Sequence, residues 1–310
     1  MTEEHTQRTI KTALGPLCLM ATDADGERHA EWLRRVAEIA ATSETARELF
    51  ARAGLSGCPI RFVGLGIGTG GDFHHLHGIR LNPFASSFSL ATTLVHETTH
   101  LEQYHLGLDE FRPGISLADY LLETCISEAA AFTLETEARW EMSRTYRGRW
   151  ATGYAASPLL CLNMDWQMLR QDNPQTRAAA RAAAFKAFFS DVLGESYETR
   201  SLARLQGQPA EKIREMLTAP SRPREEYDAL LAANGLPGLR DALPDLDWNA
   251  PFWCGMSYLG ARKLKAIIAE KCPDLADKVP LPPVSHHVPR PLYYLAATYA
   301  FSIPVLKPFL

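Results

Sequence analysis

Residues 94–105 read LVHETTHLEQYH and set His96, Glu97 and His100 in the spacing H-E-x-x-H. On a helix, side chains four apart lie one turn apart on one face. Two imidazoles can then converge on one metal ion, with a carboxylate beside them placed to take a proton from water. A chain of this length and histidine content would carry the pattern by chance roughly 2% of the time, so the five residues alone are only suggestive. The setting adds weight. Phe88 through LATTLVHETTHLEQYHLGL is an apolar segment, read as a helix over Phe88–Tyr104, with Ser87 or Ser89 as N-cap and Gly107 as the stop. Leu90, Leu94, Val95 and Leu101 would hold it in a core. Polar groups carried into a core need partners, and a metal would supply one.

A catalytic zinc takes three protein ligands and keeps a position open for water. His105 is five residues past His100 and points away. The continuation that puts a third histidine six residues on would require position 106, which is Leu106. The next helical segment offers carboxylates. In YLLETCISEAAAFTLETEARW, Glu128 shares a face with Leu121, Thr124, Cys125, Ala131 and Phe132, where an acid demands a partner. Glu123 lies on a more polar side and fits less well. Glu135, two turns beyond Glu128, is either a residue that orients a ligand imidazole or a solvated one. Asp109 and Asp119 complete the alternatives. Cys125 reads as a core thiol.

Outward from the motif, PIRFVGLGI reads as a strand, GTGG as a turn, and Ile79–Leu81 as a second extended run that could pair with the first as a hairpin. Glu31–Ala53 reads as a helix or helix pair ending at Gly54, and Leu117–Arg147 as a long helix. The remainder is mostly helical: 177–193, two short helices over 208–234, a long loop over 235–253, and a helix over 255–271. Residues 1–26 read as a polar lead-in, followed by one domain over 27–310 with its metal-site core at about 60–140 and a mostly helical C-terminal part. The class expected is α+β, predominantly helical, with a small β element before the motif helix.

The formal net charge of −4, from 32 basic and 36 acidic side chains, gives no electrostatic reason to expect nucleic acid or an anionic membrane as partner. No run approaches the ~20 apolar residues of a membrane span, and the N-terminus lacks a signal-peptide pattern, so a cytoplasmic location is expected. The six cysteines have no paired spacing and read as buried free thiols. His74, His75 and His77 read as a polar loop beside a glycine turn. GLGIGTGG lacks the register and the Lys-Ser/Thr pair of a phosphate loop.

The series GIRLNPFASSFSLATTLVHETTH, a loop, then DYLLETCISEAAAF resembles the gluzincin-type H-E-x-x-H zinc metallopeptidases, nearest to small bacterial members. The resemblance covers roughly residues 60–140. It implies a zincin-like core, one zinc ion held by His96, His100 and Glu128, Glu97 as general base, and a peptide or protein substrate. It also implies a short strand over the cleft that pairs with an extended peptide, here Ile79–Leu81. The chain departs from the group at Ala130, where an acid is frequent. Amide hydrolysis further needs a donor for the developing oxyanion, for which Tyr154, His286 and His287 are candidates. The rival reading is a metal-stabilised, non-catalytic interaction or structural module. Glu97 argues against it, since a purely structural site has no use for that carboxylate.

Overall fold

The computed structural model describes residues 6–66, 69–108, 112–146, 174–190, 192–236, 238 and 256–279. It is an α+β structure. Strands β1 (Thr6–Thr12), β2 (Gly15–Ala21), β3 (Pro59–Phe62), β4 (Gly71–His74) and β5 (Gly78–Leu81) form one sheet in the order β1-β2-β3-β5-β4. The helices are α1 (Gly26–Ala40), α2 (Glu44–Ala53), α3 (Ser87–His105), α4 (Leu117–Thr145), α5 (Pro174–Ser190), α6 (Val192–Gln206), α7 (Ala210–Thr218), α8 (Arg224–Ala233) and α9 (Tyr258–Lys271).

Residues 6–21 are therefore not a lead-in but the outer hairpin of the sheet. Thr12 stands opposite Gly15, leaving a two-residue loop. The Thr12 hydroxyl donates to Gly15 O at 2.7 Å and accepts from Leu14 N at 3.1 Å. Gly15 has φ +91°, a conformation natural only to glycine. Ile10, Leu17, Cys18, Leu19 and Ala21 are buried, and in β1 the polar and charged neighbours of Ile10 (Arg8, Thr9, Lys11 and Thr12) disguise the strand.

The strand pairing also corrects an expectation. β3 and β5 run parallel, with Ile60 opposite Ile79 and Phe62 opposite Leu81, so they are not a hairpin. The antiparallel partner of β5 is β4, drawn from the stretch read as turn and loop. β2 and β3 are also parallel, and the crossover between them is α1 followed by α2, as parallel pairs require. Gly78 opens β5 at φ +74°, and a Cβ there would lie 2.0 Å from Pro59 O. Gly78→Ala should destabilise the chain by about 3 kcal/mol or more, combining strain at positive φ with a backbone clash. Urea unfolding beside the parent would measure it; a change under 1 kcal/mol would mean that β3 and β5 are not packed in this way.

α2 is capped by Ser43, whose Oγ accepts from Ala46 N at 3.0 Å and donates to Glu141 Oε2 at 2.6 Å. That ties the α1–α2 corner to α4. Ser86 caps α3, accepting from Ser89 N at 3.2 Å, rather than Ser87 or Ser89. α3 is buried on almost every side between the sheet, α1, α2 and α4.

α4 spans 29 residues, about 44 Å at 1.5 Å per residue. Its C-terminal half sends Leu134, Ala138 and Met142 into the core shared with the sheet, α1, α2 and α3. Its N-terminal end sends Leu117, Tyr120 and Leu121 into a core shared with α6, α7 and α9. Between them Leu122, Ile126, Ala129 and Ala130 meet Phe185, Phe188, Tyr227 and Leu230. Glu128 sits at this middle stretch, where α4 faces α3. Among the described residues no helix is long and apolar enough to cross a membrane, and Cys18, Cys58, Cys125 and Cys272 are free.

Candidate metal centre

α3 carries His96 and His100 one turn apart, with their Nε2 atoms 3.2 Å from each other. From α4, Glu128 Oε2 lies 3.5 Å from each of them. Three ligands held about 2.0–2.1 Å from a tetrahedral zinc stand about 3.3 Å apart, so the triangle has the right size. Among the described residues, these three form the group able to hold a metal ion. Glu128 Oε2 is buried and has no hydrogen-bond partner. A buried carboxylate oxygen facing two ring nitrogens without a hydrogen bond fits a missing cation better than a completed polar contact.

The far side of each ring is held differently. Glu135 Oε2 lies 3.3 Å from His96 Nδ1. The other Glu135 oxygen accepts from Arg139 at 2.5 Å, and Arg139 also donates to Thr92 Oγ1 at 2.8 Å. Gln103 Oε1 lies 2.8 Å from His100 Nδ1. An ionised carboxylate on one ring and an amide oxygen on the other both favour a proton on Nδ1 and a free Nε2 lone pair toward the centre.

The charges are strongly coupled. Burial pushes the Glu128 carboxyl up, but His100 and His96 override this and hold it well below the usual carboxylate range. Burial likewise opposes Glu135 ionisation, yet Arg139 and His96 bring it down to about 2. Burial disfavours both imidazolium ions, and the carboxylates nonetheless raise His96 well above its ordinary value and raise His100 as well. Both rings must shed protons to bind a metal, so uptake at neutral pH releases protons.

Glu97 is different. It is 6% exposed and lies outside the converging triad. Burial raises its carboxyl to about 6, with the histidines pulling down and Glu128 and Asp72 pushing up. An acid that holds its proton more tightly folded than unfolded costs stability as pH rises from about 4.5 through about 6. The metal-free Glu97→Gln variant should therefore be more stable than the parent by about 2 kcal/mol above pH 6, at 1.36 kcal/mol per unit, with the gain vanishing below pH 4.5. Chemical denaturation at pH 4 and pH 8 in chelator measures it; equal differences at both pH values would contradict the assignment.

Tyr197 of α6 completes the site and was not visible in the sequence. Burial, together with the nearby Glu128 and Glu97 carboxylates, pushes its ionisation far above the usual tyrosine range. It is a neutral O–H donor at neutral pH. Phe132 sits between it and His96, with ring centroids 5.9 and 4.5 Å away. Nothing in the segment GESYETR links it to the motif, because the approach is tertiary.

Both β4 and Ile79–Leu81 pack against the motif helix, but Ile79–Leu81 is not the strand with an edge to offer a peptide. β5 is interior, flanked by β3 and β4. β4 is the edge, and a Cβ at Gly71 would lie 2.7 Å from Thr93 Cγ2, one turn before Glu97. Its Asp72, paired with Arg80, acts on the Glu97 carboxylate.

Glu123 is bound to Arg112 at 2.5 Å and Arg222 at 3.0 Å, away from the triad. Asp119 accepts from Ser116, Tyr227 and the Arg222 backbone. Cys125 is a partly buried thiol pushed up to about 12 by desolvation and by Glu198 and Glu128. His105 is exposed, and the rings of His74, His75 and His77 stack on one another with centroids 4.6 and 4.7 Å apart. Asp109, Tyr154, His286 and His287 lie outside the described residues. The chain matches no protein-family model, no curated protein and no solved structure.

Proposed function

We propose that this chain is a zinc-dependent hydrolase of peptide bonds, with a zincin-like core formed by the sheet, α3 and α4. The observation that carries the reading is the pairing of a complete, converging three-donor set with a separate buried carboxylate, Glu97, held near neutrality. Two imidazoles and one carboxylate form a donor set suited to zinc. Bound there, zinc would acidify water and polarise the scissile carbonyl.

The remaining work falls to the chain's own groups. Glu97 accepts the proton of the attacking water and returns it to the leaving nitrogen, for which an acidity of about 6 suits neutral pH. Tyr197 offers its O–H to the oxygen that gains negative charge. β4, at the edge of the sheet among the described residues, would supply backbone groups to align an extended peptide along α3.

The test is hydrolysis of a mixed peptide library by the zinc-loaded chain, with a chelator arm. Chelator-sensitive cleavage is expected; its absence with zinc bound would refute catalysis. Tyr197→Phe should lower kcat by about 10²-fold with KM little changed, the size expected for one lost donor to an oxyanion. A change confined to KM would remove Tyr197 from that role.

A further inference from the structure

Gln103 is 3% exposed and Asn234 wholly buried, and both lie behind the metal triad. Gln103 follows His100 by three residues, on the same side of α3. Its Nε2 donates to two oxygens, Ser127 O at 2.9 Å and Asn234 Oδ1 at 2.5 Å. Asn234 Nδ2 in turn donates to Leu230 O at 2.7 Å.

A side-chain amide can be turned end for end without changing its shape, so its direction must come from a group that cannot turn. Here two backbone carbonyls serve. Leu230 O only accepts, which obliges Asn234 to present Nδ2 to it and Oδ1 to Gln103. Asn234 Oδ1 and Ser127 O only accept, which obliges Gln103 to present Nε2 to them. Its Oε1 is then left for His100 Nδ1 at 2.8 Å, which must carry the proton. Once the ring is neutral, His100 Nε2 is therefore the nitrogen without hydrogen, turned to the centre 3.5 Å from Glu128 Oε2.

The origin of this chain of constraint is rigid. Asn234 ends α8, and the following Gly235 has φ +77°. Gly235 N donates to Ala232 O at 3.0 Å and Leu236 N to Leu231 O at 3.0 Å, closing the helix end. The same amide also joins α3 to Ser127, the residue before Glu128, so it sets the spacing of two ligands at once.

We propose that Gln103 and Asn234 are positioning residues through which the end of α8 fixes the tautomer and aim of His100. This rests on the metal-site reading above, but it can be tested apart from it. Two-bond proton–nitrogen spectra of the histidine-labelled chain, in chelator at alkaline pH where the rings are neutral, report each tautomer directly.

The parent should show His100 protonated on Nδ1. Gln103→Leu should give a tautomer mixture. Asn234→Leu, which never touches the ring but leaves Gln103 held by Ser127 O alone, should give a smaller shift in the same direction, and Gln103→Glu, which still accepts from Nδ1, should retain the parent form. Competition with a chromophoric chelator should show zinc affinity lowered by about 10–100-fold in both leucine variants, as for other groups that orient a ligand histidine. Circular dichroism checks folding, and if Asn234→Leu fails to fold, Gln103→Leu against Gln103→Glu carries the test. A His100 tautomer unchanged in the folded leucine variants would overturn the relay while leaving the metal reading intact. A parent that takes up no zinc but shows the expected tautomers would do the reverse.

Discussion

Glu97→Gln is expected to reduce peptide hydrolysis by about 10²–10⁴-fold, the contribution of a positioned general base, while the chain still binds one zinc ion. Glutamine matches the shape of the carboxylate but cannot accept a proton from water. Zinc should stay because Glu97 is not among the three converging donors. The loss should fall on kcat, since the proton moves only on the way to the transition state. Misfolding is separately addressed: the metal-free variant is predicted to be more stable than the parent above pH 6, because a buried carboxylate raised to about 6 has been neutralised. A variant that is more stable, zinc-loaded and inactive would identify Glu97 as the base. One that turns over like the parent would remove it.

Glu128→Ala should weaken zinc binding by about 10²–10³-fold. Structural zinc sites supply about 10–16 kcal/mol across four ligands, or about 2.5–4 kcal/mol for each. Two imidazoles remain, 3.2 Å apart, without the carboxylate that completes the triangle. A matched control comes from the same helix. Glu123→Ala removes a buried acid paired with Arg112 and Arg222, strands those cations, and should destabilise the chain with zinc affinity unchanged. If the two variants lost zinc equally, the effect would belong to α4 as a whole rather than to coordination by Glu128.

The parts of this structure legible in the sequence are those written in local periodicity. The motif helix, α4, the α1–α2 pair ending at Gly54, and the helices 174–190, 210–218, 224–233 and 258–271 all carry a helical pattern or a cap signal. The convergence of His96, His100 and Glu128 was accessible because both helices could be phased on their apolar faces. Strands were harder. β1 buries Ile10 alone among polar and charged residues, and β4 is four residues opening on glycine, so neither has a strong period. The parallel pairing of β3 with β5 depends on β4 taking the edge, which is a tertiary outcome.

Tyr197 and Asn234 reach the site or its supports through packing between distant helices, and no spacing announces them. Gln103 is the exception. A buried amide three residues past a ligand histidine could have been read as its orienting partner.

The most direct test of the account is metal content. The chain should be expressed, purified without chelator, offered a slight excess of zinc, desalted and assayed by mass spectrometry beside His96→Ala and Glu128→Ala, with circular dichroism on all three. One zinc per parent chain is expected, with strongly reduced zinc in both folded variants. A folded parent that retains no zinc, or variants that retain as much as the parent, would contradict it.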